Sequence, residues 1–132
     1  MNRQTIATLA VVVVALLLAG GVVLAKSITC SGGTCNGTKK ADQITGSVVA
    51  DTINGRGGND EIDGGNGSDT IVDNGTVPDV DIITGGKGDD LIDVREGDPT
   101  DTPDKVDCGP GTDIVFFDAT DTRLNCEFFN PS

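Results

Sequence analysis

Aspartates recur along this chain at a fixed step. Asp42, Asp51, Asp60 and Asp69 stand nine residues apart, each two positions ahead of an isoleucine: Ile44, Ile53, Ile62 and Ile71. The same Asp-x-aliphatic unit returns at Asp81-Ile83, Asp90-Ile92, Asp104-Val106 and Asp113-Val115. A carboxylate is a hard oxygen donor, and a hard cation such as calcium gathers roughly six to eight oxygens. A regular row of carboxylates is therefore chemistry for holding cations. Turnover of a substrate would need a base and a nucleophile, and the chain has no histidine. That removes every Ser-His or Cys-His pair and every His-based metal site. No other residues supply those roles in a recognisable arrangement, so we expect no enzyme.

The elements that must position these aspartates surround them. The units read GTKKADQIT, GSVVADTIN, GRGGNDEID, GGNGSDTIV, DNGTVPDVDIIT, GGKGDDLID, VREGDPTDTPDKVD and CGPGTDIVF. The step from Ile71 to Ile83 is 12 and that from Ile92 to Val106 is 14, so two units carry insertions. The inserted stretches hold Pro78, Pro99 and Pro103, as loops do. In each unit x-U-x makes a very short strand, with the aliphatic U inward and its neighbours outward. Six residues then reverse the chain, where glycine permits positive φ and close backbone approach. Two units complete one coil, and coils stack so that each aliphatic packs on the next. No repeat could bury its own aliphatic, so stability comes from stacked neighbours. Stacking also piles up the aspartates at the strand spacing of ~4.8 Å, where they repel unless a cation lies between them.

These units resemble the hemolysin-type calcium-binding (RTX) repeat, G-G-x-G-x-D-x-U-x with U aliphatic. GGNGSDTIV and GGKGDDLID match at every defined position; GRGGNDEID and CGPGTDIVF each miss one glycine, and the first two units keep only the leading Gly, the Asp and the Ile. The resemblance covers residues 37–116. It implies an all-β fold, a right-handed parallel β-roll (β-solenoid) of about four coils. It further implies Ca2+ held between consecutive turns of one edge by Asp carboxylates and turn carbonyls, and repeats largely unfolded without it.

Alternate units share an edge. One edge stacks GSVVAD, GGNGSD, GGKGDD and CGPGTD, free of insertions. We expect its two well-formed calcium sites between Asp69 and Asp90 and between Asp90 and Asp113. The turn backbone there comes from Gly64, Gly65, Gly67, Gly85, Gly86, Gly88, Gly109 and Gly111. Positions at Asp51 and Asp60 should be weaker. GTKKAD carries Lys39 and Lys40 where glycine and ion would sit, and should hold none. The insertion acids Asp79, Asp98 and Asp101 read as solvated loop residues. There is no EF-hand frame, and GGKGDD lacks the Ser or Thr of a phosphate loop.

The formal charge of −12 repels nucleic acid and anionic membrane surfaces. Residues 6–25 form an apolar stretch after MNR, which reads as a signal helix cleaved after Ala25, or as an uncleaved anchor. Either way the remainder faces the outside, secreted or on the cell surface, with no membrane contact once the leader is cleaved. Four cysteines in a short exported chain suggest two disulfides, with local pairing Cys30–Cys35 and Cys108–Cys126 preferred. The other arrangement, a zinc site of all four, is disfavoured because neither spacing resembles C-x2-C. The chain then divides into a leader (1–25), an N-terminal cap holding Cys30–Cys35 (26–36), the repeats (37–116) and a C-terminal cap (117–132) tied by Cys108–Cys126. Phe116, Phe117, Phe128 and Phe129 would form its lid, and Leu124 keeps the nine-residue step.

The function expected is that of an exported calcium-binding structural module. Two other readings stay open. One is an adhesion surface for a cell-surface or matrix partner, with calcium only rigidifying it; the other is a metal-free solenoid whose Gly-Asp turns serve the backbone alone.

Overall fold

In the computed structural model the repeat winds into twelve strands, with no helix among the described residues. The described residues are 25–75, 78–96 and 102–131, with backbone alone for 128–131. The leader up to residue 24, and Asp98, Pro99 and Asp101 of the second insertion, lie outside them. In chain order the strands are β1 (Lys26–Thr29), β2 (Gly33–Asn36), β3 (Asp42–Thr45), β4 (Asp51–Asn54), β5 (Glu61–Asp63) and β6 (Thr70–Val72). They continue as β7 (Ile82–Thr84), β8 (Leu91–Asp93), β9 (Lys105–Asp107), β10 (Ile114–Phe117), β11 (Thr122–Leu124) and β12 (Phe128–Pro131). Odd-numbered strands form one six-stranded parallel sheet and even-numbered strands the other, which is a parallel β-solenoid.

The period of nine sets the register, and the insertions leave it untouched. Ile44, Ile62, Ile83 and Val106 stack in one sheet. Ile53, Ile71, Ile92 and Val115 stack in the other. All eight are buried, and they are the centre of the core. The 12- and 14-residue steps still land Ile83 on Ile62 and Val106 on Ile83, so the extra residues are taken up between the strands without shifting their register. Outward positions fall as expected, with Thr52, Thr70, Leu91 and Ile114 in one file.

The turns explain why glycine is written so often. A Cβ on Gly86 would collide with the carbonyl oxygen of Gly65, and one on Gly88 with that of Gly67; both glycines also have positive φ, 104° and 133°. Each turn thus lies directly on the backbone of the turn in the coil before. GTKKAD and GSVVAD, which lack the inner glycines, contain no positive-φ residue and turn differently.

Beyond the four repeat coils, β3 to β10, the stack extends at both ends. β1 pairs with β3 and β2 with β4, with Cys35 opposite Ile53. β11 pairs with β9 and β12 with β10. One expectation fails here. Leu124 does not enter the core but is 60% exposed, and Arg123 stands opposite Val106. The ninth unit is one residue short, so its aspartate is Asp121 and the aliphatic's place in the register falls to Arg123, exposed at the end of the stack with its guanidinium 3.5 Å over the ring of Phe117. Phe117 belongs to the core, and the side chains of Phe128 and Phe129 lie outside the described part of the molecule. Cys30 is bonded to Cys35 and Cys108 to Cys126.

Neighbouring residues of β4 test this packing. Ile53→Ala, which empties a fully buried rung, should cost about 2–5 kcal/mol. Thr52→Ala, on the outer face, should change stability by less than about 0.5 kcal/mol. Chemical unfolding midpoints in calcium would show the contrast, and equal midpoints would contradict the inward–outward assignment.

Candidate metal centre

Every repeat aspartate is buried, between 0% and 2% exposed, although a charged side chain without partners avoids the interior. A ladder of hydrogen bonds holds them there. The backbone N–H of Asp51 donates to Oδ1 of Asp69 at 2.7 Å, that of Asp69 to Asp90 at 2.8 Å, and that of Asp90 to Asp113 at 2.8 Å. On the other edge Asp42 donates to Asp60 at 2.8 Å, Asp60 to Asp81 at 2.7 Å and Asp81 to Asp104 at 2.8 Å. From the third repeat onward, one carboxylate oxygen per repeat therefore serves as a rung between coils. At the carboxyl end Asp121 accepts from Asp104 and Glu127 from Asp113, so these two acids carry the ladder on. Sequence reading missed both, because their units are short and Glu127 replaces the aspartate.

The second oxygen, Oδ2, has a fate set by the turn. In GSVVAD the N–H of Ser47 donates to Asp51 Oδ2 at 2.6 Å, while Gly32 N–H donates to Oδ1, so each oxygen of Asp51 has a protein partner. In GTKKAD the N–H and hydroxyl of Thr38 both bond Asp42 Oδ2. The glycine turns make no such contact. Oδ2 of Asp60, Asp69, Asp90 and Asp113 is buried with no hydrogen-bond partner, and so is that of Asp81. Buried polar atoms are nearly always satisfied, so an orphan oxygen repeated at one atom of one residue type asks for a donor or a cation. Glycine also leaves room beside it. A Cβ on Gly64 would stand 2.8 Å from Asp69 Oδ2, and one on Gly85 2.7 Å from Asp90 Oδ2. The donors present are all oxygens, which fits Ca2+. Asp69, Asp90 and Asp113 form one column on the insertion-free edge, with Gly65, Gly67, Gly86, Gly88, Gly109 and Gly111 stacked beside them.

The insertion-bearing edge differs. Asp60, Asp73 and Asp81 bring ligand oxygens within 4.8 Å of one another, and Asp79, Asp81 and Glu96 form a second such group sharing Asp81. Asp79, expected as a solvated loop acid, is buried at 2% exposure. The insertion folds inward at this point, with Gly58 N–H donating to Asp79 Oδ2 at 2.6 Å and Thr102 Oγ1 to the Asp79 carbonyl. Asp60 and Asp51, grouped by the sequence, thus sit in unlike surroundings. Asp73 and Glu96 were not singled out by sequence reading. The signal for Asp73 was there, since it occupies the leading-glycine position of its unit.

Burial is the main cause that lifts the carboxyls above their ordinary range. Desolvation, with the charges of Asp81, Asp60 and Asp79 added, pushes Asp73 to about 9. Desolvation likewise raises Asp60 and Asp81 to about 7 each and Asp90 to about 6, and it raises Asp69 and Asp113. Asp93 moves the other way, because Arg95 bonds it at 2.7 Å.

Comparison with known proteins agrees with this geometry. The family described as RTX calcium-binding nonapeptide repeat matches residues 36–71 and 79–100, in four copies. No curated protein and no solved structure gives a match.

The raised carboxyls fix a pH dependence for the calcium-free protein. An acid whose folded pKa exceeds its unfolded value keeps a proton in the folded state that the unfolded state releases, so stability falls as pH rises through that interval. Here the interval runs from the ordinary 3.8 to about 9 for Asp73. With chelator present, strand signal in circular dichroism should therefore increase on acidification from about pH 9 to about pH 5. Saturating calcium should flatten that trend, and a loss of strand on acidification without calcium would contradict it.

Proposed function

We propose that this chain, a β-solenoid whose residues 36–71 and 79–100 are RTX calcium-binding nonapeptide repeats, is an exported, non-enzymatic calcium-binding protein that needs calcium to fold. One observation carries the reading: Asp69, Asp90 and Asp113 each keep one buried carboxylate oxygen unpartnered, and all three lie on one column of glycine turns. Calcium between Asp69 and Asp90, and between Asp90 and Asp113, would neutralise that column and supply the missing interaction. The turn backbones Gly64–Gly65–Gly67, Gly85–Gly86–Gly88 and Gly109 with Gly111 would frame the ions.

The dependence of folding on calcium follows from charge. Without cations the coils must either bury a file of repelling carboxylates or protonate them. A ligand that binds only the stacked state then contributes its binding free energy to folding. Both oxygens of Asp51 already accept from backbone N–H groups, and Oδ2 of Asp42 is engaged by Thr38, so these two acids have less need of a cation. Two features support export: the apolar stretch at residues 6–25 and the two disulfides, which persist in oxidising compartments. Extracellular calcium modules work at roughly 10⁻⁴–10⁻³ M, which suits sites built from few carboxylates and backbone carbonyls. The absence of histidine supports a non-catalytic role.

An adhesion reading has its own support. Leu91 and Ile114 stand opposite each other on the outer face of β8 and β10, 39% and 43% exposed. They would give a cell-surface or matrix partner an apolar foothold, with calcium holding the face rigid.

Calcium titration followed by circular dichroism tests the folding claim. Strand content should rise with calcium and collapse on chelation; a spectrum indifferent to both would sink it. Asp90→Ala should weaken calcium binding by about tenfold or more through loss of ligand charge. Asp42→Ala should have a much smaller effect, and equal losses would refute the one-edge assignment.

A further inference from the structure

The first insertion does more than lengthen a turn. Its unit opens with Asp73 where the preceding coils of that edge open with Gly37 and Gly55. Backbone bonds fix the correspondence: Gly37 N–H donates to the Asn54 carbonyl, Gly55 N–H to Val72, and Asp73 N–H to Asp93. Asp73 is therefore stacked on Gly55, and its side chain enters the space that glycine leaves open. A Cβ on Gly55 would run into the Asp73 carboxylate and stand 2.7 Å from Asp60 Oδ2.

Asp73 is 1% exposed, and neither of its carboxylate oxygens has a hydrogen-bond partner. It is aimed at two acids with an oxygen to spare. Asp60 and Asp81 each give Oδ1 to the ladder and keep an unpartnered, buried Oδ2. The ligand oxygens of the three lie within 4.8 Å of one another. Alongside, Asp79 keeps Oδ1 unpartnered and continues the acidic column through Asp81 toward Glu96. A repeat with glycine at the leading position cannot make this arrangement, because it has no side chain to send inward. The family match breaks over residues 72–78, which contain Asp73.

We propose that Asp60, Asp73 and Asp81 form a second kind of cation site, made of carboxylates from two stacked turns of one edge and separate from the Asp69–Asp90–Asp113 column. Its donors are oxygen only, which excludes the thiolate- and imidazole-seeking metals. Its burial disfavours magnesium, which gives up its waters reluctantly and demands near-octahedral geometry, whereas calcium accepts irregular oxygen sets. The natural occupant is calcium. Three converging negative charges should favour a trivalent lanthanide still more, which makes terbium a suitable probe.

The three acids lie on the opposite edge from the calcium column, so one set of titrations of the full chain separates the two. Calcium and terbium stoichiometry would be measured by isothermal titration for wild type, Asp73→Gly and Asp90→Asn, with strand content at saturating calcium as the check on folding. Asp73→Gly restores the regular repeat and should keep the strand signal while losing one calcium equivalent and the tightest terbium step. Asp90→Asn should keep that terbium step. If Asp73→Gly alters the strand signal, Asp73→Asn, which keeps the shape and removes the charge, decides the question by the same loss. An Asp73 variant that binds as many calcium ions as tightly as wild type overturns the proposal, and shows that the three acids merely share protons. When that result is accompanied by a loss in Asp90→Asn, the calcium column stands without the second site; when neither variant loses calcium, both readings fall.

Discussion

The hydrogen bond from each aspartate N–H to the carboxylate one coil further on is the constraint from which the site follows. It draws a charged side chain out of water, ties coils that are 18 to 23 residues apart in sequence, and fixes which oxygen remains. The strands themselves are only three or four residues long, too short to hold a sheet by themselves. The isoleucine ladder provides the apolar burial, and the aspartate ladder provides the registration. Cation chemistry is then a by-product of using a two-oxygen group for a one-oxygen task.

What becomes of the spare oxygen depends on glycine. In the turns of positive φ the backbone passes under the carboxylate without donating to it, and Oδ2 is left for an external partner. In GSVVAD the turn closes differently, and Ser47 N–H satisfies the acid internally. One residue, Asp, thus has two environments in a single fold, and the neighbouring turn decides whether its second oxygen is bonded within the protein or left without a partner. Val48 and Val49, 76% and 54% exposed, are the outward sign of the closed form.

Much of the fold is legible in the spacing of the residues, for a physical reason. A period of nine with an aliphatic rung is a statement about stacking, so sheet membership, inward and outward faces and even the harmless insertions follow from it. The residues that escaped were those that keep a position while changing its chemistry. Arg123 fills an aliphatic slot, Glu127 stands in for aspartate, and Asp73 replaces a glycine. Burial of Asp79 was invisible because a loop's path depends on what it finds beneath it, here the N–H of Gly58. The difference between Asp51 and Asp60 likewise rests on whether a single turn N–H, that of Ser47, reaches the carboxylate, a detail finer than any repeat pattern.

The ladder has a direction, since each coil donates forward to the next. At its carboxyl end the last donors are already taken, by Asp121 and Glu127. At its amino end Asp42 Oδ1 is an acceptor left over. That oxygen is buried inside the stack, and among the described residues the last two donors are spent on acids of the same chain. The aspartate ladder therefore carries its own terminator: two acids that mimic the next coil take the last two of its donors.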